Sequence, residues 1–289
     1  MPIVFAAIAP HGDLAIPELC DPGIRDLAAA TQAGMRGLET RARAARPDLV
    51  VVLSPHNVHI EGAMAVVTSG RIAGSLGEAD RRIDLDCAVD RSFARRLLDG
   101  LATAGIPASG ISYGGNVAEE AVMPMDWSTL IPLWYLGGRW DPAPPVVVIA
   151  PARDLPPVAH VAAGSIIASL GAESPQRIAL IASADQAHTH ALSGPYGVDP
   201  AAPVFDQLVV DAVKANNLGR LLDISDELIE AAKPDAWWQL LMLHGALRAQ
   251  TDHWLADLLS YEAPTYYGML CAAFLRSTTA PAPEARPNG

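Results

Sequence analysis

The chain has 289 residues, 51% hydrophobic and 18% charged, with a formal charge of −12; that length suits one large α/β domain or two small ones with a buried core. No run of Lys or Arg relieves the acidic balance, which excludes the basic patch that nucleic acid binding requires. Cys20, Cys87 and Cys271 are widely spaced with no C-x-x-C pair, so they read as reduced thiols and form neither a disulfide framework nor a cysteine-based zinc site.

The first element is the apolar run over residues 3–9, the pattern of a strand buried on both faces, and Pro10-His11-Gly12 follows it. Residues 24–45 place Leu27, Ala30, Met35 and Leu38 near helical spacing. A second buried strand over residues 49–53 runs into Ser54-Pro55-His56. Pro55 cannot donate to a sheet ladder, so the strand stops there and His56 sits just past its carboxyl end. Strand, helix and strand with a parallel return make a βαβ unit. Residues 63–69 read as a further strand, and the polar, glycine-containing stretch 70–86 reads as a surface excursion. A helix is expected over 87–104, ended by Gly105-Ile106-Pro107, and an irregular active-site loop over 109–121. Asp126-Trp127-Ser128-Thr129 caps a short apolar element over 130–136. Residues 146–149 form another buried strand, 156–171 a helix and 178–182 the next strand, leading into Ser183-Ala184-Asp185-Gln186-Ala187-His188-Thr189-His190. Helices are expected over 203–216, 217–232 and 234–258, with a break near Gly245. A polar-aromatic turn over 261–268 leads to a last apolar element over 269–275. The tail 277–289, rich in Pro, Ala and Thr, reads as disordered.

Val/Ile strands between Ala/Leu helices give an α/β fold: a single domain with a largely parallel central sheet flanked by helices. The N-terminus lacks a basic leader region and its apolar run breaks at Pro10, so no signal peptide is expected, and no apolar stretch reaches the length of a membrane span. These features give a cytoplasmic protein without a membrane partner.

Ligands of open α/β sheets bind beyond the carboxyl ends of the strands. His11, His56 and His188 all fall on that rim. His11 and His56 each follow a proline at a strand end, and two imidazoles on neighbouring strands make a rigid platform for a cation. A lone histidine is more often a core or surface residue, and His160, His244 and His253 are read that way.

Four segments together carry a resemblance. Ala9-Pro10-His11-Gly12, Ser54-Pro55-His56, Ala184-Asp185-Gln186-Ala187-His188 and Leu241-Met242-Leu243-His244-Gly245-Ala246-Leu247 resemble, in order and rough spacing, the class III extradiol aromatic ring-cleaving dioxygenases of the LigB-like catalytic subunit type. The resemblance implies that His11 and His56 bind non-haem iron(II), with zinc and manganese as the alternative metals, and that His188 is the acid-base residue. It also implies a carboxylate ligand at the start of the last apolar helix. The nearest acid there is Asp235, with Glu230 and Glu262 as rivals; an aspartate in the first helical turn is equally what the helix dipole favours. The implied substrate is a catechol-like aromatic, ortho-dihydroxy or aminophenol, cleaved with O2. The implied assembly is a homodimer or a pairing with a separate small subunit. Residues 1–276 would form the catalytic domain.

The chemistry is coherent. A two-histidine, one-carboxylate face leaves three positions of an octahedral iron(II) open, two for adjacent substrate oxygens and one for dioxygen. A base must remove the second phenolic proton and an acid must return one, and a single imidazole can do both in turn. One departure stands out: many family members carry Asp-His-Gly where this chain has Asp126-Trp127-Ser128. Without that imidazole the oxygen side of the metal is held differently or the substrate differs, and His59 and His190 are the candidate substitutes. Asp185 is placed to orient His188, while Glu262 and Tyr266, with Tyr261 and Tyr267, make a candidate aromatic pocket. Two other readings use the same residues: a divalent-metal hydrolase, and a non-enzymatic metal-binding interaction protein, since Memo-type proteins resemble the same superfamily.

Overall fold

The computed structural model describes residues 3–251 and 253–276. Its strands are β1 (Ile3–Ala9), β2 (Leu49–Leu53), β3 (Met64–Val67), β4 (Arg71–Glu78), β5 (Arg81–Ala88), β6 (Ala108–Ile111), β7 (Val122–Pro124), β8 (Val146–Ala150), β9 (Ile178–Ser183), β10 (Trp254–Glu262) and β11 (Met269–Arg276). Its helices are α1 (Ala29–Ala45), α2 (Arg91–Thr103), α3 (Trp127–Tyr135), α4 (Pro157–Glu173), α5 (Ala201–Lys214), α6 (Asp226–Ala232) and α7 (Trp237–Arg248).

Among the described residues an eight-stranded sheet runs in the order β10-β11-β1-β9-β2-β8-β3-β6. The centre, β1-β9-β2-β8, is parallel throughout, while β11 joins β1, β10 joins β11 and β3 joins β8 in antiparallel register. The expected largely parallel α/β sheet is therefore the one observed. Alternate residues of the same strand enter opposite halves of the core: Leu49, Val51 and Leu53 on one side, Val50 and Val52 on the other. Both faces are covered, which is why these strands read as unbroken aliphatic runs. Leu97, Ile167 and Leu241 from α2, α4 and α7 pack on the first side, Met35, Leu38 and Leu133 from α1 and α3 on the second.

Helices α4 and α7 approach so closely that a Cβ on Gly164 would collide with the Met242 carbonyl, and one on Gly245 with the Val161 carbonyl. The glycine within the Gly-Ala-Leu segment thus has a packing reason. No helix among the described residues is long and apolar enough to cross a membrane.

Several local expectations differ from the structure. Stretch 70–86 is largely a hairpin of β4 and β5, whose Ile83, Leu85 and Cys87 point alternately into the core; one apolar residue in two is too dilute to register as a buried run. Helix α2 starts only at Arg91, where Asp90 accepts a hydrogen bond from the Phe93 amide at 2.9 Å, and Cys87 remains in β5. The helix expected over 217–232 is a 3-10 turn (Leu218–Asp223) followed by α6, the two separated at the Ser225 cap. The helix expected over 234–258 ends at Arg248, and Trp254–Glu262 is β10, paired with β11. That stretch satisfies either period, and sheet pairing decides it. The expected disordered tail, 277–289, lies outside the described residues.

Candidate functional site

Strands β1, β9 and β2 are adjacent in that order, and their carboxyl ends open on a cavity of about 560 Å3. His11, His56, Asp185, His188 and Asp235 line it. Each histidine comes from a short loop leaving a strand buried at its carboxyl end, so the rigid sheet sets the spacing. Asp235 enters from the turn before α7, which is packed against α4 and β9.

His11 Nε2 lies 3.1 Å and His56 Nε2 2.8 Å from Asp235 Oδ2. One ligand atom from each of these residues lies within 4.8 Å of the others, a grouping that can hold a metal ion. Ser183 Oγ donates to the Ser128 carbonyl at 2.5 Å, and that carbonyl can only accept. The same hydroxyl must then accept from His11 Nδ1 at 2.9 Å. Nδ1 therefore carries a proton, and Nε2 is the nitrogen left to face a metal. Such a second partner is what holds a metal-binding imidazole in orientation.

The electrostatics point the same way. Burial pushes His11 down, but the Asp185 and Asp235 carboxylates outweigh it and hold the imidazole up to about 9. Burial pushes Asp235 up, yet His11 and the hydrogen bonds from His11 and His56 leave it well below the usual carboxylate range. Asp185 is raised by burial and by the neighbouring Asp235, against the pull of His11. Asp235 Oδ1 is buried with no hydrogen-bond partner, a costly arrangement unless something completes it. A buried, partly unsatisfied carboxylate beside two imidazoles fits a divalent cation.

His188 occupies the far side of the centre, its Nε2 3.8 Å from Asp235 Oδ2. Its Nδ1 donates to the Gln186 carbonyl at 2.9 Å, so a neutral ring presents the Nε2 lone pair. Tyr267 stacks on it with centroids 5.6 Å apart and planes 24° apart, and Tyr266 stands at 5.9 Å. Trp127, at the start of α3, stacks on His56 at 4.7 Å and 28°. Asp126 caps α3 by accepting from the Thr129 amide at 3.1 Å and also accepts from Asn57 at 3.0 Å, tying the His56 loop to that helix.

The structure brings His11, His56, Asp185, His188, Asp235, Trp127 and Tyr266 to one cavity. His59 is exposed and does not line it. His190 pairs with Asp206 at 2.7 Å. Glu262 accepts from the Thr31 amide at 2.6 Å, and Glu230 pairs with Lys233 on the surface; neither meets the imidazoles. Sequence reasoning missed the cavity walls Leu76 and Gly77 on the β4–β5 hairpin, for which alternation at 83, 85 and 87 was the available signal. It also missed Arg153 and Lys233. Arg153 follows β8 as His56 follows β2, through a proline, which is a readable sign.

Residues 6–272 match the family model described as the catalytic LigB subunit of aromatic ring-opening dioxygenase. Protein CA_C1420 of Clostridium acetobutylicum is 18% identical over 259 residues, 88% of this chain but 54% of its own length, so the chain spans about half of that relative. The crystal structure of uncharacterized protein JW3007 from Escherichia coli K12 shares the fold, with a TM-score of 0.60 and 18% identity over 93% of this chain and 99% of that one.

Proposed function

Since the chain belongs to the family of the catalytic LigB subunit of aromatic ring-opening dioxygenases, we propose that it is a non-haem iron(II)-dependent extradiol dioxygenase acting on a catechol-like aromatic. The observation that carries this reading is the shared cavity. It sets an orientated imidazole base, His188, facing the same Asp235 oxygen on which His11 and His56 converge.

His11 and His56 would hold the metal through Nε2, and Asp235 through its carboxylate. A divalent iron bound there would supply the Lewis-acid and redox chemistry that joins dioxygen to the substrate. The remaining work falls to side chains. His188, with Nδ1–H held by the Gln186 carbonyl, takes a phenolic proton on Nε2 and returns it later. Tyr266, Tyr267 and Trp127 offer aromatic walls to a flat ring, and Leu76 and Ile131 add apolar lining that displaces water. Asp185, expected to orient His188, instead accepts from the His11 amide at 2.9 Å and so fixes the loop bearing that residue, while the Gln186 carbonyl two residues away orients His188.

The reading includes a companion, either a second copy or a separate small subunit. Light scattering on the isolated chain alongside its oxygen uptake identifies which. The three free, buried cysteines suit a cytoplasmic location.

The test is anaerobic loading with iron(II), followed by oxygen-electrode assay over a panel of catechols and aminophenols. Oxygen uptake with appearance of a ring-opened product is expected. His188→Ala should keep its iron while turnover falls by roughly two to four orders of magnitude, the worth of a positioned proton-transfer group. Absence of oxygen uptake across the panel with full iron occupancy would reject the dioxygenase reading. Lost iron in His188→Ala would make that residue a ligand.

A further inference from the structure

We propose that Asp206, on α5 and outside the cavity, is the positioning residue that locks the two walls flanking the candidate base into one unit. Its side chain is fully buried and accepts three hydrogen bonds. Oδ1 takes the Ala187 amide at 2.8 Å, and Oδ2 takes His190 Nε2 and the Tyr261 hydroxyl, both at 2.7 Å. Burial and the adjacent carboxylate push the Tyr261 phenol above its ordinary range, so its hydroxyl remains a donor.

One carboxylate thus grips the segment bearing His188 on both sides of that residue, at Ala187 and at His190. The second wall is the turn carrying Tyr266 and Tyr267. It is joined to the first by Gln186 N to Gly268 O at 2.8 Å, Gly268 N to Ala187 O at 3.1 Å and His190 N to Tyr266 O at 3.1 Å. Asp206 sits at the seam: a Cβ on Gly268 would collide with its Oδ2. Tyr261 then ties the seam to β10. The stacking of His188 on Tyr267 follows from this arrangement, since both rings are borne on segments whose backbones the carboxylate and its neighbours hold in register. Asp206 touches neither His11, His56 nor Asp235, so its effect on the metal ligands should be small. A group held to within a fraction of an ångström is what proton transfer in a closed site demands.

The consequence for turnover rests on the reading of His188 as the base; the consequence for local order does not. The experiment therefore measures both on the full-length chain. In Asp206→Ala, amide hydrogen exchange in residues 186–190 and 266–268 should accelerate together by at least tenfold while β1, β2 and β8 keep their protection. Affinity for iron(II), from chelator competition, should stay within about threefold. Oxygen uptake should show kcat falling by more than tenfold with KM changed by less than threefold. Asp206→Asn should restore most of the protection and the rate, because an amide can keep the Ala187 bond while His190 and Tyr261 turn to accept. If Asp206→Ala does not fold, His190→Ala removes one arm at a partly exposed position and should still accelerate exchange at residues 188–190 and 266. Unchanged exchange in either variant overturns the proposal, as does acceleration spread over the whole chain or confined to one wall. If native protein takes up no oxygen yet exchange responds as described, the positioning inference stands and the dioxygenase reading is the one that fails.

Discussion

Ser183 decides which nitrogen of His11 can bind a metal, although it is no ligand. Its hydroxyl is committed to the Ser128 carbonyl and so must accept from Nδ1. Ser183→Ala should therefore weaken metal binding by roughly 10–100-fold, the usual effect of removing such a support; competition with a chromophoric chelator reads it directly. His11→Ala and His56→Ala should each abolish retention while far-UV circular dichroism is unchanged. Burial also makes the thiols inert: Cys87 is pushed up to about 11 and Cys271 up to about 12. Thiolate is the reactive form, so a disulfide reagent at pH 8 should leave both unmodified in native protein and label them after unfolding. At this scale much was readable. A proline ahead of a histidine at a strand end is a local signal, and it marks His11 and His56. The carboxylate was not readable in the same way. Asp235, Glu230 and Glu262 are all acids near the end of the chain, and only tertiary packing brings Asp235, 224 residues from His11, to within 3.1 Å of it.

Helix α7 places Asp235, and its seat on α4 depends on two glycines facing carbonyls across the contact. Gly164→Ala or Gly245→Ala must push the helices apart. A loss of about 1–3 kcal/mol in chemical denaturation is expected, as for other overpacked contacts, together with weakened metal binding in the same preparation. A stability loss with unchanged metal affinity would show that α7 can shift without carrying Asp235 along. The buried strands and α4 were legible because their apolar runs are dense. The β4–β5 hairpin and β10 were not. The hairpin buries one residue in two, and residues 254–262 acquire strand geometry from pairing with β11, a partner that no local window contains.

The whole molecule is a central parallel sheet with antiparallel additions at both flanks, the class that the aliphatic runs implied. Its strand order could not be read from them, and that order has a kinetic consequence. β1 and β2 do not pair; β9, which begins at residue 178, lies between them. His11 and His56 therefore have no fixed spacing until that strand is inserted, and Asp235 follows later still. Contacts this distant in sequence form slowly, because loop closure must precede them. During refolding, capture of a metal by the chain, followed in a stopped-flow instrument with a chromophoric chelator, should lag the recovery of helical signal. Simultaneous appearance would mean that the ion nucleates the sheet. With the lag, the cation arrives as a seal on a finished structure, and chains halted or cut before residue 235 leave the cell's labile metal ions untouched.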